Sequence, residues 1–132
     1  MSQKNSSKSE AALRAVLTAG SIVFGSSALF LLALPALFLQ LLGLETYDAL
    51  QWSMRMIGMT LVALAGNMFS NARHGSIGAV RLAGRVMQLS AGALGVLTLM
   101  IPASTTWFTV LYAIVGFGFS AAYTIAFLLK SK

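Results

Sequence analysis

Two arginines and an amide could form a polar binding site on one face of a helix. Arg81, Arg85 and Gln88 recur at steps of four and three residues, which places them on the same side of an α-helix. Two guanidinium groups one turn apart can bind the oxygens of a phosphate or an acidic lipid. The same arginines can instead simply lie among lipid head groups. Both interpretations stay open at the level of the sequence.

Arg55 presents a similar choice at the start of the apolar stretch RMIGMTLVALAG. It lies eighteen positions before Arg73, about 27 Å along a helix and close to the thickness of the hydrocarbon core. Arg55 can therefore be a boundary residue whose long stem reaches the membrane surface, loosely paired with Glu45 and Asp48. It can also be an inward-facing cation that binds an anionic head group or the polar end of a lipid-like ligand.

Two carboxamides are expected at membrane depth. Asn67 lies about 9 Å along its helix from Arg73, and Gln88 lies about 4.5 Å from Arg85. A buried amide needs hydrogen-bond partners, and these two could meet if their helices run antiparallel side by side. The sequence favours a structural role for this contact, with a part in ligand binding as the alternative.

Several kinds of chemistry are disfavoured by the residues that are missing. The chain has no cysteine, which excludes disulfides and thiolate-ligated metals, and His74 is the only histidine. No Asp or Glu lies within an apolar stretch, although proton- and cation-coupled transporters generally need a carboxylate in the membrane. The small four-helix multidrug exporters, which this chain resembles in size, depend on such a residue in their first helix. We therefore expect no metal, no cofactor and no catalytic residue.

The composition is that of an integral membrane protein. Of 132 residues, 58% are hydrophobic and 9% are charged, whereas a soluble domain carries about a quarter charged residues. The apolar residues fall into runs of about 20, enough to span the hydrocarbon core as a helix. The lipid bilayer of the cell (inner or plasma) membrane is the expected partner. The net charge of +6 then reflects membrane orientation, and no nucleic-acid partner is expected.

The pattern predicts an all-α fold in which short links join four transmembrane helices into an up-down-up-down bundle. Pro35 should end the first helix and let the following segment bend along the outer interface. A cleaved signal peptide is the rival interpretation, but its apolar core of about 7–15 residues is shorter than the run found here. The predicted parts are a disordered cytoplasmic tail over residues 1–10, a transmembrane domain over 11–132, and spans at about 13–34, 50–71, 80–101 and 107–129.

The loops predict the orientation of this bundle, because basic residues concentrate on the cytoplasmic side of membrane proteins. Tyr47, Trp52 and Trp107 fall on the opposite side, as an interfacial aromatic belt would. Both termini are therefore predicted to be cytoplasmic. The eight basic residues on the predicted cytoplasmic side are Lys4, Lys8, Arg14, Arg73, Arg81, Arg85, Lys130 and Lys132.

Three stretches resemble a known family. The first is ALRAVLTAGSIVFG, in which Arg14 opens the first helix. The second is LFLQLLGL, which comes after a proline. The third is RMIGMTLVALAGNMF, and NAR closes the helix that it begins. Over most of residues 12–129 the chain resembles the DoxX-like group of small four-helix bacterial membrane proteins. The resemblance implies a four-helix membrane fold and a link to quinone-associated redox complexes or membrane stress responses. It implies no catalytic residue.

Two functions follow from these observations as hypotheses. The first is an accessory or assembly subunit of a larger membrane complex, or a homo-oligomer, because the informative residues are packing and boundary residues. The alternative is a protein that binds a lipid or a quinone through the polar seam between its helices.

The predicted orientation can be tested with introduced cysteines, since the chain has none of its own. Single cysteines at Ser7, Ser76 and Ser131 should resist a membrane-impermeant thiol reagent in intact cells, whereas one at Thr105 should react. Labelling at Ser76 without labelling at Thr105 would reverse the assignment.

Overall fold

The computed structural model describes residues 2–129, and it describes side chains from Ser7 onward. Lys130, Lys132 and the side chain of Lys4, which entered the orientation argument, lie outside this description. Within it the chain is helical, without strands, which confirms the predicted all-α class. The five helices are α1 (Ser2–Ala33), α2 (Pro35–Leu41), α3 (Asp48–His74), α4 (Ile77–Leu99) and α5 (Trp107–Leu128).

The helices are those of a membrane protein. In the described part of the chain, three are long and apolar enough to cross a membrane: Ser7–Ala33, Ile77–Leu99 and Trp107–Leu128. Large apolar side chains also face outward, with Leu89 at 75% exposure and Leu29 at 69%, and lipid solvates such a surface far better than water does. The second predicted span, on α3, stays a prediction, because polar residues such as Arg55 and Asn67 make that helix less apolar.

The long helices associate as two pairs. α1 packs along most of α3, and α4 packs along α5, whereas α3 and α4 touch at few points. Leu13 and Leu17 of α1 join Met68 of α3 and Tyr123 of α5 in one buried core cluster. Because α1 takes the central position, the expectation that the helices carrying Asn67 and Gln88 lie side by side is wrong.

The first helix begins earlier than expected. α1 takes in residues 2–10, where the sequence indicated a disordered tail. Ser9 is buried, and its hydroxyl donates a hydrogen bond to the backbone carbonyl oxygen of Ala126 at 2.9 Å. Extending a helix that is already nucleated adds a hydrogen bond for each residue fixed. The extension also holds the start of α1 against the end of α5.

Pro35 separates α1 from α2, as the sequence predicts. It is the first residue of α2, and Leu34 before it is non-helical at φ −133° and ψ 57°, because proline disfavours helical geometry in the preceding residue. Gly43 then turns the chain with φ +76°, a conformation that glycine adopts without steric cost. A Cβ at Gly43 would lie 3.3 Å from the carbonyl oxygen of Ser104, so this turn packs against the α4–α5 loop.

Arg14 joins α1 to the end of α3. Its guanidinium donates to the carbonyl oxygens of Ala72 at 3.0 Å and Gly75 at 2.8 Å, and more weakly to that of Asn71 at 3.4 Å. It also bonds Glu10 at 2.7 Å. The last carbonyls of a helix lack partners within the helix and carry the negative end of its dipole. Arg14 is therefore a C-terminal cap supplied by a neighbouring helix.

Replacing Arg14 by methionine should lower the free energy of unfolding in detergent micelles by roughly 1–3 kcal/mol, since several carbonyl oxygens lose a charged donor. Arg73→Met is the matched control, because the Arg73 side chain is exposed and lies over the ring of Phe69, 5.3 Å from its centroid. Equal losses in the two variants would contradict the capping role.

The buried hydroxyl of Tyr123 allows a second stability test. Tyr123 is fully buried, and its hydroxyl has no hydrogen-bond partner among the described residues. A buried unpaired hydroxyl costs about 1–3 kcal/mol. We therefore expect Tyr123→Phe to raise the free energy of unfolding, while Tyr112→Phe, which loses a bond to Ser27, should lower it. A larger loss in Tyr123→Phe than in Tyr112→Phe would refute this assignment.

Candidate functional site

The main cavity of interest opens between α3 and α4, where these helices diverge. Its volume is about 290 Å³, close to the lower end of ligand pockets, which run from roughly 300 to 1,000 Å³. We call it the α3–α4 crevice. It is lined by Phe24, Ser27 and Leu31 of α1, Phe38 and Leu42 in and after α2, Met54, Ile57 and Leu61 of α3, Leu94, Leu97, Thr98 and Ile101 in and after α4, and Tyr112 of α5.

The walls of the crevice follow from helical spacing. Met54, Ile57 and Leu61 recur at three- and four-residue steps on α3, so they share one face. Leu94 and Ile101 mark the ends of the opposite wall, seven residues apart and therefore about 10 Å along a helix. The crevice is therefore a trough whose α3 and α4 walls run along the two helices.

An aromatic cluster forms the end of the trough. The ring of Phe38 lies 5.4 Å from that of Phe30 and meets the rings of Phe108 and Tyr112 edge-on at 5.2 and 5.4 Å. Edge-on pairs of this kind contribute about 0.5–1.5 kcal/mol each beyond burial. α2 is also tied to α5 by the hydroxyl of Thr106, which donates to the carbonyl oxygen at the end of α2. This end of the crevice is therefore held closed by α2.

Three hydroxyls are the polar groups of the lining side chains, and none of these side chains is charged. The hydroxyl of Thr98 donates to the carbonyl oxygen of Leu94 at 2.7 Å, within its own helix. The oxygens of Ser27 and Tyr112 lie 2.9 Å apart. Two hydroxyls hold two protons, and their mutual bond uses one. The Ser27–Tyr112 pair therefore keeps one O–H available to a ligand.

A second crevice lies on the other side of this pair. It has a volume of about 390 Å³, lies between α1 and α5, and shares Ser27 and Tyr112 with the α3–α4 crevice. Its other lining residues are apolar apart from Ser26, whose hydroxyl bonds the carbonyl oxygen of Ile22 on its own helix. The Ser27–Tyr112 pair is thus a polar point between two apolar spaces.

Arg55 points away from the crevice, although Met54 and Ile57 beside it line the wall. Its side chain is exposed, and the guanidinium carbon lies 6.0 Å from the centroid of the Trp52 ring, within reach of a cation–π contact. Within residues 2–129, Arg55 forms no ion pair with Glu45 or Asp48. Its roles as a boundary residue and as a ligand-binding cation both stay predictions.

The polar face of α4 belongs to the contact between α4 and α5. Gln88 donates to the hydroxyl of Thr124 at 2.6 Å, and Ser120 donates to the backbone carbonyl of Gln88 at 3.0 Å. Arg85 bonds the side chain of Gln88 at 3.2 Å and lies 4.1 Å from the Phe127 ring centroid. These contacts give Arg85 and Gln88 structural roles. Arg81 is half-buried one turn before Arg85, at the end of the molecule away from the crevice.

Asn67 does not meet Gln88. Its side chain is exposed on α3, and its amide donates to the carbonyl oxygen of Ala63 on the same helix at 3.3 Å. The expected amide pair is therefore wrong, because α1 and α5 take the neighbouring positions along α3 and α4. The five residues proposed from the sequence, Arg55, Asn67, Arg81, Arg85 and Gln88, do not come together in one site.

Sequence reasoning missed the Ser27–Tyr112 pair. The two residues are 85 positions apart, and neither belongs to a motif. One signal could have found them: Ser27 lies six residues before the end of α1, and Tyr112 lies five residues after the start of α5. If the end of α1 lies beside the start of α5, the two hydroxyls lie at about the same height along the bundle.

A role for the crevice has to be inferred from its own residues. Comparisons of the chain with protein-family models, with curated proteins and with solved structures give no match.

Proposed function

We propose that this membrane protein binds the apolar chain of a lipid or a quinone in the α3–α4 crevice. The observation that carries the proposal is a trough of apolar side chains along two diverging helices, with a single pair of hydroxyls that can bond a ligand. The function stated first from the sequence was an accessory subunit. The geometry of the crevice favours the alternative.

A ligand can reach the crevice sideways from the bilayer. Ile57 on the α3 wall is 45% exposed, and Leu97 on the α4 wall is 63% exposed. A hydrocarbon chain can enter between these side chains without crossing water. Inside a bilayer, a chain gains little from the hydrophobic effect, because its surroundings are already apolar. Binding must therefore rest on close packing and on the few polar atoms of the crevice.

The proposal includes a four-helix transmembrane bundle with α3 as the additional span and both termini in the cytoplasm. The 27 residues of α3 correspond to about 40 Å of helix, which is more than the hydrocarbon core requires. Arg14 contacts the α3–α4 turn, and Ser9 contacts the end of α5, so three predicted cytoplasmic parts lie at one end. Trp52 and Trp107 are exposed, which suits the opposite interface.

An accessory or assembly subunit is the second candidate. It is favoured by Asn67, whose carboxamide is exposed on a helix of membrane-spanning length and bonds only its own helix among the described residues. Polar side chains on membrane helices hydrogen-bond readily to neighbouring helices. A partner subunit or a second copy could supply that neighbour. The resemblance to the DoxX-like group is part of this candidate and stays a prediction.

Blocking the mouth of the crevice tests the proposal. Leu97→Trp adds a large side chain at the α4 wall, whereas Leu89→Trp makes the same change on the same helix at an exposed residue that does not line the crevice. Both proteins are purified in mild detergent, and their bound lipid and quinone are extracted and counted by mass spectrometry. Overpacking by about 1–3 kcal/mol should lower occupancy in Leu97→Trp about fivefold or more. Wild type and Leu89→Trp should retain equal amounts.

Equal retention in the two tryptophan variants would contradict a ligand in this crevice. Wild type that carries no lipid or quinone above the detergent background would contradict it as well. Reproducible co-purification of other subunits, lost in Asn67→Leu, would favour the accessory role.

A further inference from the structure

We propose that the Ser27–Tyr112 pair binds a neutral carbonyl oxygen of the ligand whose chain fills the α3–α4 crevice. This inference rests on the proposed function, because it assigns the polar end of the same ligand. A carbonyl of this kind occurs in the esters of neutral lipids and in the ring of a quinone.

The pair offers a donor in either of its two arrangements. With 2.9 Å between the oxygens, either hydroxyl can be the donor of the shared bond. If Tyr112 donates to Ser27, the proton of Ser27 is left over, and the converse leaves the proton of Tyr112. A carbonyl oxygen accepts that proton and brings no donor of its own that would need a partner. The match is one donor to one acceptor.

The surroundings of the pair select an uncharged group. None of the side chains that line the crevice is charged, and an ion without a partner is strongly disfavoured in such a space. Ser27 lies six residues inside the end of α1, about 9 Å along the helix. The Phe38 ring packs edge-on against Tyr112 toward that end. A charged head group on that side would lie against the aromatic cluster, without a charged partner among the lining side chains.

Thr98 provides an internal comparison. Its hydroxyl lines the same crevice but donates to the backbone of Leu94 at 2.7 Å, so its only proton is already used. Removing this hydroxyl with Thr98→Val should leave recognition of a carbonyl unchanged. Removing both hydroxyls, in the double variant Ser27→Ala/Tyr112→Phe, should abolish that recognition, because either single variant keeps one hydroxyl with an unshared proton.

The test compares two probes of equal length, a long-chain methyl ketone and the corresponding alkane, bound to the full-length protein in detergent micelles. Binding is measured by native mass spectrometry over a series of probe mole fractions. Wild type and Thr98→Val should prefer the ketone by about three- to tenfold, the effect of one neutral hydrogen bond. The double variant Ser27→Ala/Tyr112→Phe should bind the two probes equally, whereas each single variant keeps one O–H and should still prefer the ketone.

Retained binding of the alkane shows that each variant is folded and that the crevice still takes a chain. If both probes bind wild type equally, or if the preference survives in the Ser27→Ala/Tyr112→Phe double variant, the carbonyl assignment is overturned while the proposed function stands. If neither probe binds wild type, the proposed function and this inference fail together.

The same variants distinguish the two sources of the carbonyl. The native-mass measurement is repeated with a neutral diacylglycerol and with a benzoquinone that carries one saturated chain. Weaker binding in the Ser27→Ala/Tyr112→Phe double variant, with no change in Thr98→Val, should appear for at least one of these compounds and identifies it as the matching class. The absence of this pattern for both compounds would overturn the inference.

Discussion

The guanidinium of Arg14 holds together the two longest helices. The carbonyl oxygens at the end of α3 have no partners within their helix, and at the edge of an apolar medium such groups are costly to leave unpaired. Arg14 satisfies carbonyl oxygens at Ala72 and Gly75 from α1 while Glu10 balances its charge. This contact sets α1 against α3 at one end of the molecule. The packing of Leu13 and Leu17 then places α1 between α3 and the other helices.

α4 and α5 form the second tight pair. A Cβ at Gly116 would lie 2.9 Å from the backbone of Ala91 and of Gly95, so the two backbones approach as closely as glycine allows. Gln88 adds hydrogen bonds across the same contact. Because these interactions draw α4 toward α5, and those of α1 hold α3 elsewhere, α3 and α4 diverge. The crevice is the space that remains between α3 and α4 because α3 packs on α1 and α4 packs on α5.

The distribution of polar groups follows from the same architecture. Arginines lie toward the ends of the helices, where Arg55 contacts Trp52 and Arg85 contacts Phe127. The crevice, which lies on the Arg55 side of the molecule, contains hydroxyls instead of charges. In a medium as apolar as lipid, a single unpaired O–H carries more specificity than a long apolar wall, because the wall only replaces one hydrocarbon contact with another. Under the proposed function, the Ser27–Tyr112 pair therefore contributes more to ligand specificity than the longer apolar walls do.

The sequence by itself determined the helical class, the break at Pro35 and three apolar helices of membrane-spanning length, because these depend on composition and on spacing within one segment. Residues 2–10, predicted as a disordered tail, belong to α1, and Ser9 among them bonds Ala126 near the end of α5. Only the tertiary structure decided which side chains meet. Arg14 was counted as one basic residue among eight, Asn67 and Gln88 were expected to pair, and no pairing of Ser27 with Tyr112 was expected. The contacts of Arg14 with α3 and of Ser27 with Tyr112 join residues 57 or more positions apart. They depend on how whole helices pack, which no local pattern encodes.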